Sequence, residues 1–62
     1  MVEVGQRFVL HAGRKTVWEV VGVTTTPDGL RHVQMVSVEP PGERKTLAET
    51  ELERGRSFRH LG

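Results

Sequence analysis

No cysteine and no tyrosine occur in these 62 residues, and the only aromatics are Trp18, Phe8 and Phe58. Without cysteine there are no disulfides and no thiolate metal sites, the usual staples of very small domains. Its absence also fits a reducing cytosol. Three aromatics do not furnish both a core and a proline-peptide groove, which takes several exposed rings. They are equally too few for a platform on which nucleic-acid bases stack. No segment approaches the roughly 20 apolar residues of a membrane-spanning helix. The start, MVEVGQRFVL, lacks the basic end and long apolar run of a signal peptide. The expectation is a soluble, cytoplasmic protein with no membrane partner.

A dominant sign of charge is missing too. Nine lysines and arginines stand against eight acids, for a net charge of +1. That balance argues against a protein whose main affinity comes from neutralising phosphates, although a local basic patch is compatible with it. What is abundant is valine, ten residues against two alanines. The branched side chain suits a pleated, half-buried surface, so β structure is favoured. A chain this short makes one domain, residues 1–62, and buries only about 60% of the surface its unfolded form exposes.

Residues 6–11, QRFVLH, alternate Phe8 and Leu10 with Arg7, Val9 and His11 and read as a first strand. AGRK (12–15) reads as a turn, and TVWEVVGVT (16–24) as a second strand in which Gly22 marks a bend or bulge. TPDG (26–29) is a hairpin turn: Pro27 presets φ, Asp28 suits the next position, and Gly29 supplies the left-handed residue. LRHVQMVSVE (30–39) is a third strand, stopped by Pro40-Pro41-Gly42 because proline cannot donate to a ladder. ERKTL (43–47) is a short fourth strand. AETELERG (48–55) allows one or two helical turns, with Thr46/Glu49 or Thr50/Glu53 as a capping box and Gly55 as the stop. SFRHL (57–61) is the fifth strand. Such a meander closes best as an all-β, five-stranded barrel that hides its edges.

With one helical turn before the last strand, the order resembles the SH3-like small barrel. GQRF, VWEV, HVQMV, KTLA with Leu52, and RSFR also resemble a group of short bacterial proteins of no established function; that likeness implies the fold and a cytoplasmic location but no activity. VGQR, PDG and LER (52–54) are similar to type II dihydrofolate reductases, which are barrels of this size assembled around one active-site pore. Their pore motif Val-Gln-Ile-Tyr falls where this chain has Arg44-Lys45-Thr46-Leu47, and VQMV (33–36) lies a strand too early. The resemblance therefore implies shared architecture and carries over no catalytic residue.

The residues that carry chemistry elsewhere have structural readings here. ERKT lacks the glycines and the substantial helix of a phosphate-binding loop, so it reads as the closing strand, with Leu47 inward, Lys45 at the barrel mouth, and Leu52 plugging the end. His11, His32 and His60 stand singly and at no ligand spacing, so no metal site is assigned. Ser37 and Ser57 sit in no nucleophile elbow. No catalytic residue, cofactor or small-molecule substrate is expected. Trp18 reads as a core anchor.

Two surfaces are candidates for binding. In the second strand Trp18 and Val20 share one face, and Val17, Val21 and Val23 the other; in the third, Val33 and Met35 oppose Val36 and Val38. Either Gly22 and a bulge near Ser37 bend these strands so each half serves the core, or an apolar strip of Val17, Val21 and Val23 faces out and is covered by another copy. Arg7 and Arg59 point outward on neighbouring strands, and Arg54 and Arg56 flank Gly55, giving an arginine face for an acidic partner or nucleic acid. The reading is a small non-catalytic binding module for a protein partner or for self-association. The alternative is weak, sequence-nonspecific nucleic-acid binding through the arginines.

Overall fold

The computed structural model describes residues 1–12, 14–55 and 58–61, and for residues 11, 12 and 14 only the backbone. Five strands and one helix follow in the order β1 (Arg7–Ala12), β2 (Arg14–Thr25), β3 (Arg31–Glu39), β4 (Pro41–Ala48), α1 (Glu49–Glu53) and β5 (Phe58–Leu61). All pairings are antiparallel. Across the sheet the strands run β4-β3-β2-β1-β5. Consecutive hairpins build the first four, and β5 returns to the far side of β1. This is an all-β small barrel of the SH3-like plan, with one short helix before the last strand. No helix among the described residues is long and apolar enough to cross a membrane.

The TPDG hairpin forms as its residues dictate. The Gly29 N–H donates to the Thr26 carbonyl at 2.9 Å, and Gly29 takes a left-handed φ of 88°. The Thr26 hydroxyl donates to the Asp28 carboxylate and accepts the Leu30 N–H at 3.1 Å, so the turn holds itself together.

Both bulges expected in the long strands are present. Between Val20 and Gly22 the β2–β3 register shifts, leaving Val21 as the extra residue. That shift changes which side chains face in: Trp18 and Val20 before it, Val23 after it. A second shift leaves Val38 unopposed between Ser37 and Glu39. Up to that point β3 alternates strictly, with Val33, Met35 and Ser37 buried and Val36 half-buried on the other side. The bend therefore serves the core in β2, whereas Val36 and Val38 stay outside. Ser37 is a buried polar residue with a structural task. Its hydroxyl accepts the Glu43 N–H at 2.9 Å, replacing a backbone partner where the β3–β4 ladder is irregular.

The core joins Val2, Phe8, Trp18, Val20, Val33, Met35, Leu52 and Phe58, with Leu10, Val23 and Leu47 packed against it. Trp18 is 2% exposed and meets the Phe58 ring edge-on at 6.4 Å. Leu52 of α1 is buried in this core. Lys45 of β4 lies over both rings, 5.1 Å from the centre of Trp18 and 6.0 Å from that of Phe58. The first and last strands of the sheet, β4 and β5, are thereby bridged by a lysine side chain.

Three expectations need correction. The turn assigned to residues 12–15 is shorter, since Ala12, Arg14 and Lys15 belong to paired strands; Gly13 lies outside the described residues. The sheet does not end at the prolines: Pro41 opens β4 and pairs with Val38, which is tolerated because it is the first residue of an edge strand. Neither capping box forms. Ala48 is the N-cap and supplies no side-chain bond. The Glu49 carboxylate instead accepts the Val2 N–H at 2.9 Å and the Arg31 Nε–H at 3.0 Å. Arg31 also donates to the Val2 carbonyl. This clasp fastens the N-terminal segment to α1 and β3.

Candidate binding surfaces

Strand alternation gives the sheet an outer face whose composition follows from the register. Val9 of β1 lies opposite Val17 of β2 and Arg59 of β5, and Val17 lies opposite Glu39 of β3. One step along the strands, Arg7 lies opposite Glu19 and Leu61, and Glu19 opposite Val36. Val9, Lys15, Val17, Glu39 and Leu61 line a groove of about 220 Å³. Val9 is only 3% exposed although it points away from the core, because the side chains around it cover it. Leu61 is 47% exposed beside it. The first of these rows is apolar in its middle and charged at its ends, and the second is charged in its middle and apolar at its ends.

The valines singled out from the sequence do not share this face. Val17 is half-buried in the groove. Val21 is 48% exposed at the bulge. Val23 packs against the core, because the bulge at Val21 reverses the alternation beyond it. Val9 and Leu61 are the members that sequence reasoning missed. Alternation placed Val9 outward, but only the pairing of β5 beside β1 brings Leu61 and Arg59 around it.

The arginines are also dispersed. Arg7 and Arg59 are exposed on adjacent strands of the outer face, as expected. The Arg7 Nε–H donates to Glu19 at 3.0 Å, so its charge is already answered. Arg54, beyond α1, lies 3.6 Å from Glu51. Arg56 lies outside the described residues. Among those described, Arg59 is the one member of the set with no carboxylate in ion-pair range.

A second depression, about 350 Å³, opens where the N-terminal segment, α1 and β5 meet. Val2, Phe8, Leu52 and Phe58 form its floor, and Gln6, Glu53, Arg59 and His60 its rim. The His60 ring rests against Phe8 with centroids 5.2 Å apart. Behind this cleft the clasp holds Glu49, whose carboxyl lies below its ordinary value first because the Val2 N–H and then because the Arg31 guanidinium favour the charged form. These groups secure the fold.

The three histidines fall on three strands, β1, β3 and β5. Among the described residues no three histidine, aspartate or glutamate side chains converge as a metal site would require. The Ser37 hydroxyl is engaged with the Glu43 backbone, and Ser57 lies outside the described residues. No family model matches the chain, and neither a curated protein nor a solved structure matches it.

Proposed function

We propose that the chain is a small non-catalytic binding module that docks a protein partner on the outer face of its sheet. The observation that carries this reading is the Val9–Val17–Leu61 groove, bounded by Lys15 and Glu39, with Arg59 on the strand beside Val9. Protein interfaces have that anatomy, an apolar centre depleted of charge inside a polar rim. The outer side of an antiparallel sheet also offers such a face without any rearrangement of its backbone. The likeness to short bacterial proteins and to the SH3-like plan adds architecture alone, since one fold serves many functions.

The nucleic-acid alternative draws support from Arg7 and Arg59 on the same face. It is weakened by Glu19 and Glu51, which occupy Arg7 and Arg54, and by the near-zero net charge. The test is co-purification of the untagged chain from its own cells, with and without nuclease, for the wild type and Val17→Asp. A protein that stays bound through nuclease and is lost with Val17→Asp supports the reading. Material lost to nuclease alone transfers the function to nucleic acid.

A further inference from the structure

We infer that the outer face is built to receive a second copy of this chain, related by a two-fold axis lying parallel to the strands between β1 and β2. The inference rests on the protein-binding reading and names the partner. Two copies that meet by such an axis invert the order of strands across the interface, so β1 faces β2 and β5 faces β3 of the other copy. An isologous contact of this kind demands a surface complementary to itself.

The two rows of the outer face meet that demand position by position. The first row reads Arg59, Val9, Val17, Glu39 across β5, β1, β2 and β3. Inverted, it sets Arg59 against the partner's Glu39 and brings the half-buried Val17 over the partner's Val9 position, where Val9 itself is already covered by its neighbours. The second row reads Leu61, Arg7, Glu19, Val36. Inverted, it sets Leu61 against the partner's Val36 and Arg7 against the partner's Glu19. Every apolar residue meets an apolar one and every cation meets an anion. No position in either row faces its own charge.

The monomer leaves parts of this pattern unanswered. Leu61 is half-exposed, and neither Arg59 nor Glu39 has an ion-pair partner among the described residues. Three strand spacings of about 4.8 Å separate Arg59 from Glu39 within one chain, roughly 14 Å in all, too far for a pair. Across the axis they are opposite each other. Sheets packed face to face twist by about 30°, so the match holds best in these two central rows, and Arg44 of β4 stays at the rim.

The experiment is sedimentation velocity from about 1 μM to 1 mM, with circular dichroism to confirm folding. The wild type forms dimers with a modest dissociation constant, as befits a small interface. Arg59→Glu and Glu39→Arg, both at exposed positions, each raise it about tenfold or more through two like-charge contacts. An equimolar mixture of the two variants dimerises again, because both crossed pairs are then opposite in charge. A monomer at all concentrations, or dimers indifferent to these reversals, or a mixture that stays dissociated, overturns the inference. A monomeric wild type would still leave a different protein on this face, which the nuclease-resistant co-purification decides independently.

Discussion

The ammonium of Lys45 stands 5.1 Å from the centre of the Trp18 ring, reaching from the edge strand β4 over the side chain that anchors the core. Its stem and charge cover the gap between the two ends of the sheet, so Trp18 is dry. Native emission should be blue-shifted and move to longer wavelength in a cooperative unfolding transition. Lys45→Ala should shift native emission toward the red and cost about 0.5–1 kcal/mol, whereas Lys45→Met should retain the blue shift because the stem still covers the ring. Native emission resembling free tryptophan would contradict the buried placement.

Met35 lies at the centre of the inner face, 1% exposed, between Val20 of β2 and Lys45 of β4. Met35→Ala removes about 2–5 kcal/mol by leaving a cavity. A single core of this size supplies only about 3–5 kcal/mol net. Urea titration followed by circular dichroism should therefore find this variant largely unfolded before denaturant is added. Full retention of the midpoint would mean the core collapses around the vacancy.

Acid should loosen the N-terminal clasp. The folded pKa of Glu49 lies below its ordinary 4.5, so its contribution is fully present above that value and is lost as pH falls through the folded pKa. Asp28, lowered chiefly by the Thr26 hydroxyl, acts with the same sign. Glu49→Gln should be less stable than the wild type at pH 7, and the difference should shrink below pH 4.5. Parallel stability curves across that range would remove Glu49 from the account.

Two glycines separate backbone from side-chain effects. At Gly29 a Cβ meets nothing within 4 Å, yet φ is 88°. Gly29→Ala should cost about 1–2 kcal/mol through conformation alone. At Gly22 a Cβ would come within 2.9 Å of the Gln34 Oε1, the end of a flexible chain that swings aside with loss of its bond to Thr24. Gly22→Ala should cost less than Gly29→Ala in thermal unfolding. The reverse order would place the constraint at the bulge.

Binding to mixed oligonucleotides should be weak and shallow in its salt dependence. With Arg7 and Arg54 already facing acids, few cations release counterions, and the slope of log K against log salt should be about −2 or shallower. Fluorescence anisotropy over a salt series measures it. A slope of −4 or steeper would restore the arginine face to the leading role.

Local chemistry was legible and long-range pairing was not. The TPDG turn and the Gly55 stop need only their own residues, and both form where the sequence puts them. Trp18 and Leu52 are core residues as expected. The Thr46/Glu49 box failed because Glu49 is taken by Arg31 and the Val2 N–H, groups remote in sequence, and Thr50/Glu53 falls inside α1 and not at its start. Pro41 was misread because whether a missing donor matters depends on the strand having one free edge. Arg7 and Arg59 were placed correctly on the outer face once β1 and β5 were taken as neighbours. Of the two readings open for Val23, the bulge holds and the outward strip does not, because one extra residue at Val21 inverts everything after it.

The pairing of β1 with β5 joins the two extremities of the chain, Arg7 to Leu61 and Leu10 to Phe58. The other three pairings are hairpins of consecutive strands, which form by closing short loops in microseconds. β5 has to wait for nearly the whole chain to be threaded before its contacts return anything. Until then β1 shows an unpaired edge and Val9 lies open to water. The last event of folding is thus also the one that finishes the outer face, and a chain still missing it is the species most prone to pair wrongly with its neighbours.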